Sequence, residues 1–168
     1  MTEVLRLALD HRALTLLLIG LAAGGLALLD NRRARHRERV AQVMLRWYLV
    51  FSIGVGFLVA AVEHGLLGAW SGVGGAAASP DAFQLGAASL GFSVVGFLAA
   101  GGGLGMRFAA LVGPAIAVYG AAVGRVAGLG SAPTASADAL LVPLVGFVLL
   151  VWQYRAQSRR SVFARSRL

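Results

Sequence analysis

The sequence ALTLLLIGLAAGGLALL at residues 13–29 is followed directly by DNRRARHRER at residues 30–39. The first stretch is about 17 residues long, near the lower limit for a helix that crosses a bilayer. An arginine block directly after an apolar run is typical of a segment that stops in the membrane, not of a cleaved signal peptide. We therefore predict a retained transmembrane helix here. If this segment were cleaved, one helix fewer would remain.

The composition of the whole chain indicates a membrane protein. Of its 168 residues, 58% are hydrophobic and 13% are charged, and the mean hydropathy is +0.79. Soluble domains have about 45–50% apolar and about 25% charged residues, and a soluble fold of this length could not bury so much apolar surface in one core. There is no cysteine, which excludes disulfides and thiolate metal sites. The basic residues are all Arg, and with the abundance of Ala and Gly this favours a bacterial source.

Four more apolar segments follow the first one along the chain. Together they predict an all-α, polytopic transmembrane helical bundle of five helices, or four if the first is cleaved, forming a single membrane domain over residues 1–168. A glycine-rich turn separates the third helix from the fourth, and an apolar piece over 65–70 is expected to be a re-entrant or interfacial segment that does not span the membrane. The predicted helices cover about 13–29, 41–62, 83–104, 108–127 and 139–154, followed by an Arg-rich tail over 155–168.

The distribution of arginine predicts the orientation in the membrane. The segment after the first helix, the turn holding Arg107 and the C-terminal tail all contain Arg, whereas the loops over 63–82 and 128–138 contain none. With five alternating helices, the three Arg-containing regions fall on one side, which the positive-inside rule places in the cytoplasm. We expect a multi-pass protein of the bacterial plasma membrane with its N-terminus outside and its C-terminus in the cytoplasm.

Small residues four positions apart predict close helix packing, which in lipid is favoured by direct backbone approach. Pro114 and Pro143 fall inside the last two predicted helices; they fit either packing or a hinge for transport. Near the cytoplasmic ends, Arg46 and Arg107 are expected to snorkel to water, and Tyr48 to lie at the headgroup level beside Trp47. The rows of small residues spaced four apart are Gly20 and Gly24; Ser52, Gly56 and Ala60; Gly113, Ala117 and Ala121; and Gly120, Gly124 and Gly128.

Polar side chains near the predicted outer helix ends form the candidate site. They comprise Glu63, His64, Gln84 and Arg125, with Asp81 and Asp138 in the adjoining loops. We predict an outer polar cluster in which Glu63 pairs with Arg125. It is either a set of interface residues that mark helix ends or a small binding or protonation site in which His64 titrates near neutral pH.

No catalytic pattern accompanies these residues. The HExxH, GxSxG and P-loop motifs are missing from the sequence, and adjacent Glu63 and His64 do not make a zinc site. We therefore expect no enzyme activity, no catalytic, cofactor-binding or metal-binding residues and no cofactor. Because the arginines follow the membrane topology, we expect no nucleic acid partner despite the net charge of +8. The expected partners are the lipid bilayer and either other membrane subunits or a second copy of the chain.

Several short motifs between residues 45 and 126 carry a family resemblance. The order Arg46-Trp47-Tyr48, Glu63-His64-Gly65, Ser79-Pro80 before Gly86-Ala87-Ala88-Ser89-Leu90-Gly91-Phe92, and Tyr119-Gly120-Ala121-Ala122-Val123-Gly124-Arg125 resembles an uncharacterised family of small bacterial integral membrane proteins. The resemblance implies a four-helix unit with an extra leading helix and implies no function. The family pattern has Glu at the position of Gln84, Asn at Ser89 and His at Arg125, so any proton or ion role of those groups does not carry over.

Two functions fit these observations. The first is a structural or accessory subunit of a membrane assembly, favoured by the small-residue rows, the short loops and the lack of a catalytic set. The alternative is a small oligomeric transporter or channel for an ion or small solute, favoured by the outer polar cluster and the two intramembrane prolines.

Overall fold

Five helices make up nearly all of the chain that the computed structural model describes, which is residue 3 and residues 11–30, 37–67, 80–128 and 137–165. Of these described residues, 96% are helical and none is in a strand. Each helix is long and apolar enough to cross a membrane, so the predicted five-helix bundle is confirmed. The helices are α1 (Arg12–Asp30), α2 (37–67), α3 (Pro80–Gly101), α4 (Leu104–Val126) and α5 (Ala137–Arg165).

The ends of two helices differ from the prediction. Helix α2 continues to Leu67, so the predicted loop and interfacial piece are helical at their start, while residues 68–79 lie outside the described residues. Helix α5 continues to Arg165, so most of the predicted tail is part of this helix. A helix extends beyond the hydrocarbon region readily, since its backbone bonds are satisfied within the helix itself.

Helix α2 is continuous but not uniform. It is α-helical over Arg37–Tyr48 and Gly56–Ala61, and π-helical over Leu49–Val55 and Val62–Leu67; we refer to the latter two as the first and second π segments. At the end of the first, the backbone N–H of Gly56 bonds the carbonyl of Phe51, five residues back. Such wide turns are rare and are frequent at functional sites.

Neighbouring helices run antiparallel, which side-chain and backbone contacts establish pair by pair. Gly65 of α2 meets Gly86 of α3, whereas Gly54 meets Gly96. In the same way, Tyr119 of α4 bonds the Leu140 carbonyl of α5, whereas Leu111 lies beside Gly146. We name the two ends of the bundle the Glu63 end and the Arg107 end after residues that lie there.

Helix α2 lies at the centre and contacts all four other helices. Its residues Leu45, Tyr48 and Leu49 are fully buried, and they share the core with Leu111 of α4 and Leu149 of α5. Leu17 brings α1 into the same core. Outward-facing residues such as Ile116, Val123 and Val148 remain exposed and apolar, as expected of a surface that meets lipid.

The tightest helix pair is α2 against α3. A methyl group added at Gly86 would lie 2.6 Å from the backbone of Gly65, and one added at Gly96 would lie 2.8 Å from the Gly54 nitrogen. Between them the buried Ser93 hydroxyl donates to the Gly54 carbonyl at 2.7 Å. The α3 positions facing α2 are spaced alternately three and four apart: Gly86, Ser89, Ser93, Gly96 and Ala100.

The predicted rows of small residues differ in what they contact. Gly20 and Gly24 pack on α2, where added methyl groups would lie 3.0 Å from the Trp47 carbonyl oxygen and 2.9 Å from the Met44 sulfur. The row on α2 instead lines a cavity. On α4, Gly120 has open space beside it and Ala117 is exposed, so the outer part of that helix presents small residues to its surroundings.

Candidate functional site

A cavity of about 140 Å³ lies among α1, α2, α4 and α5. We call it the Ser52 cavity. Its walls are almost wholly apolar, and α2 supplies one wall through residues spaced three and four apart. The lining residues are Arg12, Ala13, Leu16, Ser52, Ile53, Gly56, Phe57, Ala60, Pro114, Val118, Val142 and Pro143.

Ser52 is the polar group of the inner wall. The residue is buried, with 8% of its surface exposed, and its Oγ has no hydrogen-bond partner among the described residues. Serine inside a helix usually bonds the carbonyl one turn earlier, but Ser52 lies in the first π segment, where the backbone geometry differs. A buried hydroxyl without a partner is rare in proteins, and this one borders a space large enough to hold a molecule.

Both intramembrane prolines line the same cavity. Pro114 comes from α4 and Pro143 from α5. Each proline lacks an N–H, so the carbonyl four residues earlier loses its usual helical bond. Two helices with interrupted backbone bonding and one π segment therefore surround the Ser52 cavity. Whether the prolines act as hinges stays a prediction.

Tyr48 is buried in the bundle on the side of Ser52 toward the Arg107 end, one turn before Ser52. Its side chain is fully buried and its hydroxyl donates to the carbonyl of Val142, a lining residue, at 2.7 Å. Gly146 makes room for the ring, because a methyl group there would lie 2.7 Å from the Tyr48 hydroxyl. A notch in α5 and a backbone acceptor thus hold Tyr48 in the core of the bundle, and its predicted depth at the headgroup level stays a prediction.

Arg12 forms the wall of the cavity nearest the Glu63 end. Its guanidinium makes an ion pair with the carboxylate of Glu63, and the two side chains are 48% and 40% exposed. This wall therefore reaches the molecular surface. Phe57, another lining residue, makes an edge-on contact with Phe92, with ring centroids 5.3 Å apart.

Three residues of the predicted outer polar cluster, Glu63, His64 and Gln84, lie toward one end of the bundle. Glu63 and His64 lie in the second π segment, and the contact of Gly65 with Gly86 places the exposed Gln84 close to this end along α3. Glu63 pairs with Arg12, which the prediction did not include. The side chain of Arg125, like those of Asp81 and Asp138, lies outside the described part of the chain, so its pairing with Glu63 stays a prediction.

A second buried charge lies at the Arg107 end. Arg107 is 8% exposed, and its two terminal nitrogens donate to the Gln153 amide oxygen at 2.9 Å and to the Ala100 carbonyl at 3.2 Å. The snorkelling predicted for Arg107 is wrong, because the short turn at Gly102 places its side chain between α3 and α5. Arg46, in contrast, is exposed, and its snorkelling stays a prediction.

A family model matches residues 11–159, which include parts of all five helices. The chain belongs to a family of unknown function, DUF6790. The predicted resemblance to an uncharacterised family is thus confirmed, and the DUF6790 match is wider than the predicted 45–126. Neither a curated protein nor a solved structure matches the chain. Bacterial origin stays a prediction.

The cavity of this DUF6790 protein was not predicted as a unit, although the sequence contained signals for it. The sequence indicates Ser52 only as a member of a row of small residues, and the two prolines only as separate interruptions of two predicted helices. Arg12 comes just before the first predicted helix, which begins at about residue 13. In the part of the chain that the structure describes, no group of three or more His, Asp, Glu or Cys residues could hold a metal ion.

Proposed function

We propose that this protein is a non-enzymatic membrane transporter that takes a small solute into the Ser52 cavity. The observation that carries the proposal is the buried, unpartnered Ser52 hydroxyl beside an apolar cavity of about 140 Å³. Ligand sites are typically apolar cavities with a few polar groups that orient the ligand. A bound solute with a hydrogen-bond acceptor would satisfy the hydroxyl that the protein leaves unsatisfied.

The lining of the cavity favours a small organic solute over an inorganic ion. A dehydrated ion needs several polar ligands to replace its water, whereas most of this wall is formed by groups such as Leu16, Ile53 and Val118. A cavity of about 150 Å³ lined by apolar side chains accepts a molecule the size of benzene. The cavity therefore suits an apolar body of roughly that size.

In this proposal, Tyr48 blocks the path of the solute from the Ser52 cavity toward the Arg107 end. Transport toward the Arg107 end requires this side chain to leave the Val142 carbonyl and the notch at Gly146. The neighbouring backbone is suited to such a change, since the first π segment and the two prolines already depart from regular α-helical bonding. In the proposed orientation, the Glu63 end faces outside and the Arg107 end faces the cytoplasm of a bacterium.

Proteoliposome uptake tests the proposal. Two membrane-impermeant probes with the same ring, benzenesulfonate and benzyltrimethylammonium, are offered in labelled form. We expect saturable uptake of at least one of them by the wild type. Gly56→Leu would fill the cavity and abolish uptake, because ordinary contact distances leave room for a side chain at this wall.

A matched control keeps this test specific. Gly91→Leu makes the same change on α3 at an exposed position with nothing within 4 Å, and its uptake should equal that of the wild type. Uptake of neither probe, together with binding of neither probe to the protein in nanodiscs, would refute a solute-binding function for this cavity.

The accessory-subunit role is the second candidate, and the outward face of α4 favours it. Ala117, Gly120 and Ala121 are exposed there, and small residues on a lipid-facing helix allow another helix to approach closely. Purification in mild detergent tests this role. A stoichiometric partner that is lost on Gly120→Leu would support it, whereas a chain that purifies alone or only with itself would count against it.

A further inference from the structure

We infer that the solute is a small organic anion, whose apolar body occupies the Ser52 cavity and whose charged group binds Arg12. This inference rests on the proposed function, since it names the substrate class of the same cavity. The charge of the residues that line the cavity supports it. Arg12 is the one charged residue among the described residues that line the cavity.

A single positive charge on an otherwise apolar wall selects by sign. A cation entering the cavity would meet Arg12 and find no carboxylate among the described residues that line it, whereas an anion would meet a guanidinium. The planar guanidinium also fits a carboxylate, sulfonate or phosphate through two parallel hydrogen bonds. The position of Arg12 at the start of α1 adds the positive pole of a helix to the same spot, which further favours negative charge.

Glu63 occupies the place that the anion of the solute would take. It neutralises Arg12 in the empty protein, but both side chains are about half exposed. Ion pairs of this kind contribute little to stability, because water and salt screen them. A solute anion can therefore replace or share the Glu63 contact at small cost, and it gains apolar contacts in the cavity that Glu63 does not make.

The dimensions of the cavity set the size of the anion. On α2 the wall extends from Ser52 to Ala60, which is about 12 Å of helix at 1.5 Å per residue. Arg12 lies toward the outer part of this wall, and Ser52 lies at the buried part. An anion with an apolar body of roughly six to ten heavy atoms therefore fits, with its charged group at Arg12 and a hydrogen-bond acceptor at the far end of its body beside the Ser52 hydroxyl; the probes below test the charged end.

Equilibrium dialysis against the protein in phosphatidylcholine nanodiscs tests the inference with labelled benzenesulfonate and benzyltrimethylammonium. We expect the wild type to bind the anion and to prefer it over the cation at least tenfold. Arg12→Gln should weaken anion binding tenfold or more, as loss of a charged hydrogen-bonding partner does. Glu63→Gln should strengthen it by up to about fivefold, since a weak competitor is removed.

Two further variants keep the test interpretable. Arg12→Lys retains the charge and should recover part of the anion binding, which distinguishes charge recognition from a folding defect. Arg46→Gln removes an exposed arginine from the opposite end and should leave binding unchanged. Preference for the cation, with Glu63→Gln weakening it, would overturn the anion inference but leave the cavity as a binding site. Equal binding of both probes, unaffected by Arg12→Gln, would overturn it as well.

Discussion

The closure at Tyr48 provides the sharpest quantitative prediction, because two independent substitutions disturb the same contact. Tyr48→Phe removes the hydroxyl that donates to Val142 at 2.7 Å and keeps the ring. Gly146→Ala places a carbon 2.7 Å from that hydroxyl and 2.8 Å from both the ring and Leu111. If the lack of a side chain at Gly146 is what lets the Tyr48 hydroxyl reach the α5 backbone, the effects of the two substitutions on stability overlap.

The magnitudes follow from the contacts. A typical hydrogen bond contributes about 1 kcal/mol to stability, and hydrogen bonds between membrane helices average about 0.6 kcal/mol, so Tyr48→Phe should cost about 0.5–1 kcal/mol. Overpacking costs about 1–3 kcal/mol, and the helix preference of Ala over Gly returns up to about 1 kcal/mol. We expect Gly146→Ala to cost about 1–2 kcal/mol.

The double variant is the decisive measurement. Tyr48→Phe removes the atom closest to the added methyl but leaves the ring and Leu111, so it relieves part of the clash. The loss of unfolding free energy in the double variant should be smaller than the sum of the single losses by about 0.5–1 kcal/mol. Equilibrium unfolding in mixed micelles, followed by circular dichroism, measures it. Effects that add within about 0.3 kcal/mol would refute the coupling.

Five other substitutions, in three sets, should separate packing from function. Gly86→Ala drives a methyl against backbone at 2.6 Å and should cost more than about 2 kcal/mol, whereas Gly91→Ala has open space and should be neutral or slightly stabilising in the same unfolding assay. Replacing Gln153 by Leu leaves the Arg107 charge without its amide partner and should cost about 2 kcal/mol or more; adding Arg107→Met should restore much of that stability, and no recovery would contradict the pairing. Ser52→Ala removes an unsatisfied buried hydroxyl, so stability should hold or rise while solute binding falls; a large stability loss would show that the hydroxyl has a structural partner.

The sequence predicts the helices well because lipid imposes a simple rule. A spanning segment must be apolar along its length and must satisfy its own backbone, so hydropathy alone locates all five. Helix ends are predicted less well, since α2 and α5 continue beyond the apolar stretch as far as Leu67 and Arg165. Nothing in the hydropathy profile distinguishes a helix that ends at the membrane surface from one that continues into water.

Side-chain positions depend on partners far away in the chain, and there the sequence is a weaker guide. Arginine and tyrosine near a helix end ordinarily reach for the membrane surface. Arg107 is buried because Gln153, 46 positions later, offers an acceptor, and Tyr48 is buried because of its acceptor at Val142, 94 positions later. Both partners lie on α5, whose contribution cannot be foreseen from the neighbouring sequence.

The candidate site illustrates the same limit. Glu63 is predicted as a site residue from its position near a helix end, and in the structure it pairs with Arg12, whereas its predicted pairing with Arg125 stays a prediction. The row of small and buried residues on α3 from Gly86 to Ala100 is not predicted from the sequence. Its spacing alternates between three and four residues, whereas the predicted rows have a fixed spacing of four. Ser52 gave no signal beyond its size, since its lack of a partner is a property of the assembled bundle.

The two π segments of α2 give this helix a change of phase along its length. Each wide turn accommodates about one residue more than an α-helix would, and one residue corresponds to about 100° of rotation. The early part of α2 packs against α5 and α1, while the π segments and the stretch between them pack against α3. Deleting one residue within Leu49–Val55 would remove this extra residue, restore a regular helix and leave the residues after it facing the neighbours they face now. Deleting one residue from the α-helical stretch Gly56–Ala61 would instead turn Gly65 away from Gly86 by about 100°, so the π segments are the places where this helix can lose a residue and still serve four neighbours.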